Sequence, residues 1–207
     1  SDVCSSDLMI SLPQGKVMVI SHDFSKDFGI QNSWSIFALN EFNTVLSESL
    51  HGLCSENEFV SACCVFNRKA EEGLVRDWVV VGCVSETHYR LCLYQRDLTN
   101  RLTGNSDKPL IHLWDVQMPN KVHEVAVLDE NHLCVIIGFI LRIYEVNEQG
   151  LILIAQTKCT DSFITTLHVV HNRIYLTDNT GVISFYFLTP KFQPCLVLRH
   201  FTHRSIM

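Results

Sequence analysis

Two stretches decide the fold: HEVAVLDENHLCVIIGFILRIYEV at His123–Val146 and ITTLHVVHNRIYLTDNTGVISFYFL at Ile164–Leu188. Each reads as an apolar strand, a short polar turn, a second strand, a Gly-containing connection, then an alternating strand with aromatics. Alternation sends successive side chains to opposite faces, which is the β signature. The units that contain them, 122–157 and 163–198, each hold four such strands and start roughly 40 residues apart, the period of a propeller blade. Burial explains the architecture. A twisted four-stranded sheet with two apolar faces covers both by stacking between neighbours around an axis.

The same unit recurs upstream with more insertion. Phe59–Phe66, Trp78–Val84, Arg90–Gln95 and Leu110–Val116 form a unit over 59–116. Two polar stretches, Asn67–Asp77 and Arg96–Pro109, read as loops that lengthen it. Residues 16–50 supply two or three strands of a unit before that. The turns Asp129-Glu130-Asn131, Asn147-Glu148-Gln149-Gly150 and Asp178-Asn179-Thr180-Gly181 suit tight reversals, because Asx side chains bond locally and Gly tolerates left-handed angles. The longest helical candidate, Glu56–Val60, is too short to matter. The expectation is an all-β chain: a partial β-propeller of about three to four four-stranded antiparallel blades, part of a larger ring, with unpaired edges at its ends. An evenly spaced β-sandwich is the competing architecture.

Ser1–Leu8 stands apart. It has no periodicity and reads, in one frame, as the translation of a sequencing-adapter oligonucleotide. The segment 1–8 is set aside as non-native, which makes 9–207 the propeller portion and leaves Met9 as no necessary start.

Composition narrows the function classes. Hydrophobic residues are 47% and charged residues 18% of the 207, too apolar for a disordered chain. The formal net charge of −6 argues against a large sequence-independent phosphate-binding surface. No apolar run reaches membrane-spanning length, so no membrane partner is expected. The nine cysteines lie mostly inside apolar runs, as Cys63, Cys64, Cys83, Cys92 and Cys134 do, and form no C-x-x-C pair. Buried free thiols in a reducing compartment fit that placement.

Several segments together resemble the C-terminal region of the cleavage and polyadenylation specificity factor A-subunit superfamily. That group includes damaged-DNA-binding protein 1 and splicing factor 3B subunit 3. The carrying residues are DWVVVGCV at Asp77–Val84, YRLCLYQ at Tyr89–Gln95, NHLCVIIGFILRIYEV at Asn131–Val146 and FITTLHVVHNRIYLTDNTGVISFYFL at Phe163–Leu188, with SWSIFALNEFNTVLSESL at Ser33–Leu50 entering the region. Thr87-His88-Tyr89 departs from the family, which usually has Gly before the Arg-containing strand, and so does the loop Asp97–Pro109. The resemblance implies a non-enzymatic scaffold in a nuclear complex for pre-mRNA cleavage and polyadenylation, splicing or damaged-DNA-linked ubiquitin ligation. Its partners would be protein subunits, with RNA or DNA touched directly or through them. A cytoplasmic WD-repeat-type adaptor is the alternative, although Trp114-Asp115 is the one Trp-Asp pair.

No chemistry-bearing motif displaces that reading. His168 and His171 point to opposite faces of a strand and do not share an ion, and Cys63-Cys64 splits in the same way. G-x-S-x-G, Walker-type and dinucleotide glycine motifs do not occur. Asp178 reads as a hairpin-turn residue, since the downstream Glu of a calcium loop is missing. Arg199–Arg204 is locally basic with one aromatic, and a solvated chain end is its simplest reading. No catalytic, cofactor or metal residues are assigned. The partner-binding candidates are exposed apolar groups on connections: Phe24 and Phe28 in the 21–30 loop, Leu98 and Leu102 in the 97–109 insertion, and Phe192.

Overall fold

A computed structural model describes the backbone of residues 6–12, 16–25, 29–39, 45–51, 58–69, 75–96 and 110–202, and the side chains of 58–65, 78–95 and 111–202. These residues form strands, turns and bends, with no helix among them. The strands assemble into four four-stranded antiparallel sheets. Sheet one holds β1 (Ser6–Leu12), β2 (Lys16–Ser25), β3 (Gly29–Leu39) and β4 (Val45–His51). Sheet two holds β5 (Phe59–Lys69), β6 (Val75–Val84), β7 (Tyr89–Arg96) and β8 (Leu110–Met118). Sheet three holds β9 (Val122–Val127), β10 (His132–Ile137), β11 (Ile140–Asn147) and β12 (Gly150–Lys158). Sheet four holds β13 (Ile164–Val170), β14 (Arg173–Asp178), β15 (Val182–Leu188) and β16 (Pro194–Phe201).

Each sheet is an up-and-down meander, with strands in sequence order from one edge to the other. The first strands lie against one another, β5 beside β9 and β9 beside β13, while the last strands of successive sheets barely meet. The sheets therefore fan out from a hub, as propeller blades do. Sheet three is buried on both faces. Leu133, Val135, Ile137, Tyr144 and Val146 pack against Ala62, Cys64, Trp78, Val80, Leu91 and Leu93 of sheet two. Cys134, Ile136, Leu141 and Ile143 pack against Ile164, Ile174, Leu176, Tyr186 and Leu188 of sheet four. Fully burying one Leu or Ile is worth about 1.5–3 kcal/mol, so each junction contributes substantially to the core of the described residues. A sandwich has one interior layer between two sheets; a sheet with a core on each side is not that arrangement.

The register repeats in detail. In sheets two, three and four the pairing of third and fourth strands slips directly before a tyrosine: between Leu93 and Tyr94, Ile143 and Tyr144, and Phe185 and Tyr186. The residues left over on the fourth strand are Leu113, Ile154 and Val197. A second slip recurs on the first strands, where Ser61, His123 and Thr165 are skipped. A bulge adds local twist and bends its strand, and the same two bulges give three blades the same curvature. Polar links tie the blades together. Trp114 Nε1 donates to the Asn147 carbonyl at 2.9 Å, Thr160 Oγ1 to Asp178 Oδ2 at 2.9 Å, and Tyr186 OH to the Cys159 carbonyl at 3.4 Å.

Two readings shift. The Asn67–Asp77 stretch is largely ladder, because β5 and β6 run on as a hairpin with Asn67 opposite Asp77 and Lys69 opposite Val75. The 21–30 stretch is also mostly strand, with Phe24 opposite Ile30. Backbone pairing continues past the apolar core wherever two antiparallel chains already run side by side, and side-chain alternation does not report that. Finally, β1 begins within the segment set aside as non-native, with Ser6 opposite His22 and Leu8 opposite Ile20. Main-chain donors and acceptors are the same for any sequence, so an extended neighbour of either origin can join the ladder.

Candidate functional site

Of the five partner-binding candidates, Phe192 has a described side chain. Phe24 lies on β2 with its side chain outside the described residues; Phe28, Leu98 and Leu102 fall wholly outside them.

Phe192 sits in the turn between β15 and β16. Pro190 presets the backbone for a tight turn, and the Phe192 amide donates to the Thr189 carbonyl at 2.8 Å. The Gln193 amide closes the loop on Thr189 Oγ1 at 3.1 Å. Phe192 itself has φ 58, in the left-handed region. That conformation costs about 1–3 kcal/mol for a residue with a side chain. It turns the ring back onto sheet three, where the ring stacks on His132 at 3.9 Å between centroids and 28° between planes. His132 is held in turn by Asp129, whose Oδ1 accepts from the Asn131 amide at 2.8 Å, the His132 amide at 2.9 Å and His132 Nδ1 at 2.7 Å.

A cleft of about 310 Å³ opens beside this stack, at the junction of sheets three and four. Leu128, Leu188, Phe187, Pro190 and Phe192 give it apolar walls, and Asp129, His171, Asn172 and Thr189 give it a polar rim. Three turns meet there: β9–β10, β13–β14 and β15–β16. His171 has φ 55 and opens the two-residue β13–β14 turn, a position that a type II′ hairpin ordinarily fills with Gly. Among the described residues, His171 and Phe192 are the two non-glycine residues with positive φ, and both line this cleft. An apolar cavity with a few convergent polar groups is suited to holding a side chain of a docking partner.

A second constellation lies in sheet two, and sequence reasoning missed it. Glu58 is 1% exposed. Arg90 Nε donates to its Oε1 at 2.8 Å and Arg90 Nη2 to its Oε2, a bidentate fork. His88 Nε2 lies 2.9 Å from Oε1, and His88 Nδ1 lies 2.8 Å from Ser85 Oγ. The order Ser85, His88, Glu58 has the outline of a nucleophile relay. The Ser85 hydroxyl, however, accepts the amides of Thr87 at 3.3 Å and His88 at 3.1 Å, so it caps its own turn. Glu58 and Arg90 form a buried carboxylate paired with a guanidinium, joining the start of β5 to β7. The departure at Thr87-His88-Tyr89 was the only sequence signal.

The remaining groups follow their strands. Cys64 faces sheet three, whereas Cys63 lies on the opposite face in the row shared by Val81 and Cys92. Cys83 and Cys92 approach to 3.9 Å between Sγ atoms. Burial pushes the Cys63, Cys64 and Cys134 thiols well above their ordinary range, and the Cys159 thiol up to about 11. Asp178 is buried in the β14–β15 turn. Burial opposes its ionisation, but bonds from the Thr180 hydroxyl, the Val182 amide, the Thr160 hydroxyl and the Thr180 amide outweigh that and hold its pKa below the ordinary value. Among the described residues, no group of three or more His, Cys, Asp or Glu side chains is placed to hold a metal ion. No family model matches the chain, and no curated protein matches it.

Proposed function

We propose that this chain is a non-enzymatic propeller scaffold subunit of a nuclear complex, of the kind that serves pre-mRNA cleavage and polyadenylation, splicing or damaged-DNA-linked ubiquitin ligation. It works by recognition: stacked sheets hold turns in fixed positions, and partner proteins dock on those turns. The observation that carries the recognition part is the cleft beside Phe192, where two residues in costly backbone conformations converge on one apolar cavity. Strain of this kind concentrates at functional sites. The nuclear assignment is supported by the resemblance of the segments between Ser33 and Leu188.

The test is proximity labelling and co-purification of the tagged chain in cells, wild type against Asn172→Arg, which fills the rim from an exposed position. The reading predicts recovery of the defined subunits of one of these nuclear complexes, with at least one of them lost on the substitution. Recovery of cytoplasmic coat or trafficking components instead, unchanged by the substitution, would overturn it.

A further inference from the structure

The blades repeat closely enough for equivalent positions to be matched by register. The bulge before Tyr94, Tyr144 and Tyr186 aligns Leu93 with Ile143 and with Phe185. Followed across the strands, the central row of that face is Cys64, Val80, Leu93 and Trp114 in sheet two. In sheet three it is Ala126, Cys134, Ile143 and Ala155. The following sheet covers the row in both. In sheet four the row is His168, Tyr175, Phe185 and Leu198. An imidazole stands where the others have Cys64 and Ala126, and a phenol where they have Val80 and Cys134. Burying those polar tips under an apolar sheet without partners costs free energy. Here they are open: His168 and Leu198 are exposed, Tyr175 and Phe185 half-buried. The rings touch in sequence, His168 to Tyr175 at 6.1 Å and Tyr175 to Phe185 at 4.2 Å between centroids. Three adjacent strands therefore present one continuous aromatic row.

The two flanking rows carry polar groups. On one side lie Thr166, Thr177 and His200, and the two threonine hydroxyls share a hydrogen bond at 2.5 Å. On the other side exposed Arg173 lies between Val170 and Phe187. No residue of the three rows is a carboxylate, although the chain carries −6 overall. Sheet three has Glu124 and Glu145 at the places of Thr166 and Phe187. We infer that the outer face of β13–β16 binds single-stranded RNA, with about two or three bases stacked along the aromatic row. Charge selects a polyanion, since the face joins a guanidinium and two imidazoles with no acid. Stacking selects a single strand, whose unpaired bases expose their faces. The scarcity of cations selects RNA over DNA. Arg173 is the one Lys or Arg on the face, so phosphate attraction is small. The Thr166 and Thr177 hydroxyls and the His200 imidazole complement the ribose 2′-OH, which is both donor and acceptor and which DNA lacks. A short platform with one permanent cation is also compatible with a net acidic chain. This inference goes beyond protein docking at the Phe192 cleft. Phe187 borders both places, but one takes a side chain between turns and the other a strand across a sheet, so either reading can fail alone.

NMR titration of the whole isotope-labelled 207-residue chain tests this, with hexauridylate, hexadeoxyuridylate and hexaglutamate as probes. A few stacked bases and one phosphate contact give a weak complex, with a Kd on the order of 0.1–1 mM for hexauridylate. The expected result is saturable shifts confined to β13–β16, with hexadeoxyuridylate and hexaglutamate binding more weakly. Tyr175→Ala and Phe185→Ala should each weaken hexauridylate binding about fivefold or more. Tyr175→Phe, which keeps the ring, should not. The logarithm of the binding constant should fall with the logarithm of salt concentration at a slope of about −0.7, as for one phosphate contact. Arg173→Gln, at an exposed position that folding does not depend on, should weaken binding and flatten that slope. Ile152→Ala, on the outer strand of sheet three, should change nothing. Melting temperatures show which alanine variants fold, and Arg173→Gln and Tyr175→Phe keep the test readable if those do not. No saturable shift at about 2 mM hexauridylate, a concentration above the expected Kd, would overturn the inference. So would equal binding of the deoxy probe, equal or tighter binding of hexaglutamate, or indifference to Arg173→Gln.

Discussion

Ile136→Ala and Leu133→Ala probe opposite faces of one six-residue strand, β10. Leu133 is 0% exposed against sheet two, and Ile136 is 0% exposed in the cluster shared with sheet four. Each truncation removes the hydrocarbon contacts of a fully buried side chain and leaves a cavity that stacked sheets collapse into only partly. The cost is about 2–5 kcal/mol for either one. For a domain of this size, about 1 kcal/mol moves the melting midpoint by about 2–4 °C. The two side chains share no packing partner, so the double variant should lose nearly the sum of the single losses. Ile152→Ala, at a position 52% exposed on β12, should change stability by less than about 0.5 kcal/mol. Urea unfolding followed by tryptophan fluorescence, in a Trp34→Phe background so that Trp78 and Trp114 are the emitters, reads the sheet-two junction, and far-UV circular dichroism reads the whole. A loss below about 0.5 kcal/mol at either Leu133 or Ile136 would mean that β10 has one solvent face, and stacking on both sides would be refuted.

Asp178→Ala should cost about 1–3 kcal/mol, because it strips an acceptor from two backbone amides and two hydroxyls. The folded pKa of Asp178 lies below its ordinary value near 3.8, so its contribution is complete above that value and fades as pH falls through the lower folded pKa; a melting-temperature series across the acid range should be flatter in the variant there. Glu58→Ala should cost about 1.5–3 kcal/mol by removing the charge-assisted fork to Arg90, which keeps Asp115 at 3.7 Å, while Glu58→Gln retains part of the hydrogen bonding and costs less; equal melting temperatures for wild type and Glu58→Ala would contradict the buried fork. In the native protein, alkylation mapped by peptide mass should label exposed Cys195 before Cys64, Cys134 and Cys159, which react only when denaturant opens the core; simultaneous labelling would contradict the burial of both junctions.

The repeat was readable because it is local. Val122–Val127, His132–Ile137 and Ile140–Asn147 each announce a strand by alternation or an unbroken apolar run, and Asp129, Gly138 and Gly150 mark the turns between them. Gly138 with φ 59 and Gly150 with φ 150 both adopt angles that a residue with a side chain resists. Phe192 was also readable as an aromatic on a connection. Its stacking on His132 was not, since that contact depends on how two sheets sit together. The Glu58–Arg90 fork joins residues in different strands, and no short-range pattern in either segment refers to the other.

The sequence by itself therefore determined the all-β class, the four-strand unit and its recurrence, because strand formation depends on side-chain alternation and turn chemistry within a few residues. Tertiary structure alone decided the paired bulges that curve each blade, the cleft where three turns converge, and which sheet face is left uncovered. Those depend on register and stacking between strands that are distant in the chain, and identical local patterns are compatible with several such arrangements.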